Sequence, residues 1–223
     1  MLINTSFKRS VANNMYLYKT AYEYGEAEYV IEKSRFIAHV QPVFNYEEAQ
    51  KFVSDIRQKY KDATHNVPAI VCGPKQEMQW ASDDGEPSGT SGLPMLKMIT
   101  DEGLTNLAVV VTRYFGGIKL GTGGLSRAYT TAAKMGLESS GICEIREGCL
   151  LTYTFNYSSL DKLQNLARDG RFEIKDIEYA DKVKSTLSCM LENVSDIKSM
   201  MDDLTSGQAV LTAEENALNK YKI

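Results

Sequence analysis

A chain of 223 residues, 43% hydrophobic and 24% charged, can bury two cores of roughly 100–150 residues each and is too apolar for wholesale disorder. Its net charge of −4 excludes a uniformly basic nucleic-acid binder, and its longest aliphatic run, residues 107–111, is far short of the roughly 20 residues that span a bilayer as a helix. The four cysteines, Cys72, Cys143, Cys149 and Cys189, form no C-x-x-C pair and have only His39 and His65 to assist them, which argues against a zinc site and a disulfide framework and for reduced thiols in the cytoplasm.

Residues 1–14 lack the apolar stretch of a signal peptide and precede a more regular sequence, so they read as an extension or an upstream start, with Met15 as the expected native beginning. Residues 28–43 mix β-branched and aromatic residues with polar ones in near alternation, which predicts one or two strands ending at Pro42. Asn45 is placed to cap a helix whose apolar residues Ala49, Phe52, Val53, Ile56 and Tyr60 follow helical spacing. A short strand over 67–72 leads to a polar segment, 76–80, and then to a loop, 81–92, built almost wholly of small, acidic, Gly and Pro residues. Met95, Leu96 and Ile99 mark a helix ending near Gly103, and 107–112 form a buried strand. Residues 116–124 read as a second glycine-rich loop, followed from Leu125 by a helix with Ala128, Tyr129, Ala132, Ala133, Gly136 and Leu137 on one face.

Beyond Gly141 the pattern changes. Strands are expected over 150–157, 172–179, 183–191 and 209–212, with helices carrying Leu160, Leu163, Leu166 and Ala167, then Val194, Ile197, Met201 and Leu204. This β-α-β-β-α-β order is the ferredoxin-like plan. The expected fold class is α+β with two domains, 15–140 and 141–223, after the extension at 1–14.

Between Gly103 and Leu137 there is no Asp or Glu, while Arg113, Lys119, Arg127 and Lys134 give the segment a charge of +4, leaving −8 on the rest. Strand, glycine loop and helix follow one another here. Glycines let backbone N–H groups approach a ligand, a helix start carries partial positive charge, and the cations add full charges. Neither the Walker nor the Rossmann spacing is present: Gly121 is followed by Thr122, and Ser126 stands where a third Rossmann glycine belongs. The competing structural reading is that these glycines serve tight turns and close packing alone.

Asp83, Asp84 and Glu86 suit either a magnesium ion or a solvated capping turn, and Ser88, Thr90 and Ser91 offer N-caps to the next helix. His65 is a candidate acid/base, or a structural histidine. Tyr114 is placed to stack on a base, and Phe115 is expected in the core.

Lys33-Ser-Arg-Phe-Ile37, Ala63 to Asn66, Ser82-Asp-Asp-Gly-Glu-Pro-Ser-Gly-Thr-Ser-Gly92 and the run from Arg113 to Tyr129 resemble the signatures of the IMPACT/YigZ family. The resemblance covers residues 20–137 as the IMPACT domain, and the remainder is similar to the smaller carboxy-terminal domain of bacterial members. It implies a first domain shaped like a ribosomal small-subunit protein domain, an α+β sandwich also found in elongation factor G and in GHMP kinases. The second would resemble the last domain of elongation factor G. Eukaryotic IMPACT proteins regulate translation by competing for a ribosome-associated activator of a stress kinase, whereas bacterial members have no settled activity; the Pro-x-x-x-Gly-Leu-Ser-Ser-like signature of GHMP kinases is absent here.

The candidate binding residues are therefore Arg113, Tyr114, Gly116, Gly117, Lys119, Gly121, Gly123, Gly124, Ser126 and Arg127, with His65, Asp83, Asp84 and Glu86. The expected partner is RNA, the ribosome or a translation-associated protein, with no membrane, no metal and no cofactor. The alternative is a magnesium-dependent enzyme or binder acting on a small phosphorylated or nucleotide substrate, with His65 as acid/base.

Overall fold

Strand β1 (Tyr16–Ala21), not anticipated from sequence, opens the described part of the protein, whose structure, a computed structural model, is described for residues 16–223. The expectations at residues 1–14 and Met15 lie outside the described residues. The alternating stretch that follows becomes a hairpin of β2 (Gly25–Ile31) and β3 (Ser34–Pro42). Its two turn residues, Glu32 and Lys33, both take positive φ, 46° and 63°, the left-handed pair that matches the twist of a tight antiparallel turn.

Helix α1 (Tyr46–Lys59) begins where expected. The Asn45 side chain accepts from the Glu48 amide at 2.8 Å, and the Glu48 carboxylate accepts from the Phe44 amide at 2.9 Å. The first bond satisfies a donor that the first helical turn leaves open, and the second ties the incoming chain to that turn.

Strands β4 (His65–Cys72), β5 (Met78–Ala81) and β6 (Leu107–Tyr114) complete a five-stranded antiparallel sheet in the order β2-β3-β6-β4-β5. The edge strand β5 replaces part of the polar segment expected at 76–80. Its first three residues are exposed, so no burial alternation marked it as a strand.

Helices α2 (Gly92–Asp101) and α3 (Gly121–Ser140) cover one face of this sheet, packing on Phe36, Ala38, Val40, Val67, Val109 and Val111. Helix α1 covers the other, on Ile70, Cys72, Ala108 and Val110. Burial from both sides explains the unbroken apolar run in β6.

Helix α3 starts four residues before the Leu125 expected from sequence, so Gly121 to Gly124 belong to its first turn and not to the loop. Glycine is about 1 kcal/mol worse than alanine in a helix, which hides the start from a propensity argument. Leu120 and Leu125, packed against the core, hold the turn in place.

The second unit contains β7 (Ile142–Phe155), α4 (Leu160–Ala167), β8 (Phe172–Tyr179), β9 (Val183–Met190), α5 (Val194–Thr205) and β10 (Val210–Lys222). Strand β9 pairs antiparallel with both β7 and β8, and β10 pairs with β7. Counted within the unit, the order 4-1-3-2 is that of a ferredoxin-like sheet, with a core around Leu151, Phe155, Leu163, Leu187, Ile197 and Met201. Residues 18–144 with 221–223 form one compact unit, and 145–220 form the body of the other. Both are α+β.

Candidate functional site

Antiparallel pairing sets Arg113, near the end of β6, opposite Phe36 of β3 and His65 of β4. Its guanidinium points inward, and the residue is 5% exposed. Arg113 Nη1 donates to Glu86 Oε1 at 2.6 Å, and the Tyr129 hydroxyl donates to the same oxygen at 2.7 Å. Arg113 Nη2 lies 3.4 Å from Ser34 Oγ, and the guanidinium carbon is 5.3 Å from the ring centres of both Phe36 and Phe115. A buried carboxylate needs such a cation and donors, because a charge removed from water without a partner is strongly destabilising. Burial, then the bond to Glu86, push the Tyr129 phenol far above its usual range, so it stays a donor. Arg113, expected to greet an anion with a full charge, is thus neutralised from within.

The acidic loop is likewise occupied. Asp83 Oδ1 accepts from the Ser91 amide, the Ser91 hydroxyl and the Gly92 amide at 3.1, 2.7 and 3.0 Å, and Oδ2 accepts from the Gly89 amide at 2.7 Å. Burial alone would raise the Asp83 carboxyl, yet the Ser91 hydroxyl and the Gly89, Gly92 and Ser91 amides together hold it below the usual carboxylate range. Asp83 therefore caps α2 from eight residues upstream. Ser91 occupies the N-cap position without a side-chain capping bond, contrary to the expectation that Ser88, Thr90 or Ser91 would supply it.

Asp84, at φ 49°, accepts from Arg57 Nη2 at 2.8 Å and from the Asn66 amide at 2.7 Å. Among the described residues no group of three His, Cys, Asp or Glu is arranged to hold a metal ion. All four cysteines are buried and free.

Between the two loops lies a cleft of about 420 Å³ lined by Thr64, His65, Glu86, Pro87, Arg113, Phe115, Lys119, Leu120, Gly121, Thr122 and Leu125. The fold thus brings His65, Glu86, Arg113, Lys119 and Gly121 together. Phe115, expected in the core, is 45% exposed because β6 ends one residue earlier and inward alternation ends with it. Phe115, Thr64, Thr122 and the Tyr129 hydroxyl were not singled out as binding groups. For Tyr129 a signal existed: a phenol on a buried helix face demands a hydrogen-bond partner.

The start of α3 has no side-chain cap. Gly121 takes φ 69°, a left-handed conformation that favours glycine, and a side chain there would meet nothing within 4 Å. Arg127 folds back over this turn: a Cβ added at Gly123 would lie 3.6 Å from Arg127 Nη1. Lys119 and Arg127 are exposed and engage in no ion pair among the described residues, whereas Lys134 is paired with Glu102 at 3.2 Å. Two of the four cations in the acid-free segment are therefore neutralised, and the two that remain flank an open helix start.

The other candidates lie around this centre. Gly116 permits close approach of two backbones, since a Cβ there would come within 2.0 Å of the Lys33 carbonyl carbon. Gly117 is exposed, while Gly124 and Ser126 are half-buried in the helix and its first turns. Tyr114 does not line the cleft; its hydroxyl donates to Asp62 at 3.2 Å and its ring lies 5.6 Å from the Arg35 guanidinium.

The family model of the Impact N-terminal domain matches residues 32–137, and a domain of unknown function, DUF1949, matches 154–208. The chain is 40% identical to the IMPACT family member YvyE of Bacillus subtilis over 213 residues, covering 93% of this chain and 98% of that one. It is 33% identical to the IMPACT family member YigZ of Escherichia coli over 189 residues, covering 83% and 92%. A solved structure of a hypothetical protein, 28% identical, aligns over 92% of this chain and 97% of its own with a TM-score of 0.56. With its cleft inside the matched amino-terminal domain and a relative this similar along nearly its whole length, the chain belongs to the IMPACT family.

Proposed function

We propose that the protein is a translation-linked, cytoplasmic regulatory protein that holds phosphates of RNA, within or outside the ribosome, at the start of α3. The observation that carries this reading is the uncapped helix N-terminus flanked by Lys119 and Arg127, neither of them paired with a carboxylate among the described residues. Open N–H groups at a helix start and two unneutralised cations attract the same ligand, an oxyanion. Membership of the IMPACT family supports the link to translation. No helix among the described residues is long and apolar enough to cross a membrane.

A magnesium-dependent reaction is less well supported, because the hydrogen bonds and ion pairs of Asp83, Asp84 and Glu86 already engage the carboxylates it would need.

Sedimentation of the protein with ribosomes at two salt concentrations tests the reading. Wild type is expected to co-sediment at low salt and to release at high salt, as counterion displacement requires. The Lys119→Ala/Arg127→Ala variant is expected to bind more weakly and with a salt slope shallower by up to about 2. Equal binding by the two proteins would remove the anion site from the mechanism.

A further inference from the structure

We infer that the cleft beside α3 is a site for one nucleotide: a phosphate joined to a flat base bearing an exocyclic amine, taken either free or as an unpaired residue of RNA. The inference rests on the anion site proposed above and adds what lies next to it.

His65 Nδ1 is 2.7 Å from the backbone carbonyl oxygen of Asp84. A carbonyl oxygen only accepts, so Nδ1 carries the proton and, in the neutral ring, Nε2 is left as a bare acceptor. That nitrogen stands 3.8 Å from Glu86 Oε1. Glu86 Oε1 already accepts from Arg113 and Tyr129, so in the neutral ring His65 Nε2 is the acceptor that the cleft leaves without a donor. An amine donates an N–H to it; a carbonyl or an aliphatic chain donates none. Base pairing would already occupy such an amine, so a duplex does not present it.

The wall chemistry fits the rest of a base. Phe115 is 45% exposed at the cleft, with Pro87, Leu120 and Leu125 completing an apolar surface. An aromatic face of this kind accepts any stacked base. Beneath it, Arg113 is 5% exposed and lines the same cleft, and its Nε has no hydrogen-bond partner, which leaves an uncompensated N–H dipole under the site. Lys119, Gly121 and Thr122 place the open helix start in the same lining. One cleft therefore offers donors for a phosphate, a stacking surface and an open acceptor at His65, in a volume within the range of small-ligand pockets.

The test is calorimetric titration of the full chain with inorganic phosphate, adenosine monophosphate, uridine monophosphate, an adenine-rich single-stranded RNA and its duplex. Adenosine monophosphate or the single strand is expected to bind about tenfold more tightly than its phosphate-only or duplex counterpart, a step of 1.4 kcal/mol. Uridine monophosphate, which lacks an exocyclic amine, is expected to bind less tightly than the adenine nucleotide. Phe115→Ala, at an exposed position and so safe for folding, and His65→Phe are expected to erase the preference and leave inorganic phosphate binding unchanged. Tight binding of the mononucleotide identifies a free ligand; binding of the single strand alone identifies an unpaired RNA residue. If phosphate binds but neither nucleotide nor single strand binds more tightly, or if Phe115→Ala keeps the preference, the nucleotide site is overturned and the anion site stands. If none of these probes binds, both fall.

Discussion

Helices α2 and α3 start from the two glycine-rich loops of the same unit, and their beginnings are treated in opposite ways. The first is filled: Asp83 takes the donors of Ser91 and Gly92, and its carboxyl is held below the usual range. The second is empty, with no capping side chain and with Lys119 and Arg127 beside it. An oxyanion completes a helix start in either case. The protein supplies its own for α2, and leaves that of α3 to a ligand.

Four substitutions break or sharpen this contrast. The largest effect is expected at Glu86, which reaches from the acidic loop to the cleft floor. Glu86→Ala leaves the Arg113 guanidinium buried without its carboxylate, and denaturant unfolding is expected to show a loss of about 3–5 kcal/mol. Asp83→Asn keeps one acceptor oxygen but removes the charge of the cap and the acceptor of the Gly89 amide, with an expected loss of about 1 kcal/mol. The native carboxyl titrates below the unfolded value of about 3.9, so its contribution is present above that pH and is lost as pH falls through the folded value. Denaturant midpoints of Asp83→Asn should accordingly vary less than those of wild type across the acid range. An equal acid dependence would show that Asp83 is not the anion of α2.

Thr122→Asp converts the open start into a filled one. A carboxylate in the first turn of a helix is expected to add about 0.3–1 kcal/mol of stability while phosphate binding, read by calorimetry, disappears. Gain of stability with loss of binding separates a ligand site from a folding defect. Smallest is Lys134→Ala. This cation is already paired with Glu102, both side chains being about half exposed, so stability should change by no more than about 1 kcal/mol and ribosome association should not change.

Much of the fold was legible along the chain. The Asn45 cap, the apolar face of α1 and the buried stripe of α3 all appear as local periodicity, because a helix brings together residues three and four apart. The second unit's strand and helix order is readable for the same reason. Strand β5 was not, since an exposed edge carries no alternation, and the first turn of α3 was not, since glycines disguise it.

The candidate site divides along the same line. Composition marked the two loops and the absence of acids around Lys119, the segments on either side of the cleft. It did not show that Arg113 faces Glu86, 27 residues away, or that Asp83 reaches eight residues forward to Ser91. Nor did it show that Phe115 turns outward beside the cleft.

By itself, then, the amino-acid order determined the elements that repeat with a helical or strand period, the α+β class, and the concentration of cations and glycines between Gly103 and Leu137. Only the tertiary structure decided which of those charges are cancelled and which stay available. The physical reason is range: periodicity is a property of neighbours along the chain, whereas neutralisation of a buried charge depends on whichever carboxylate the sheet and its loops carry to within hydrogen-bonding distance.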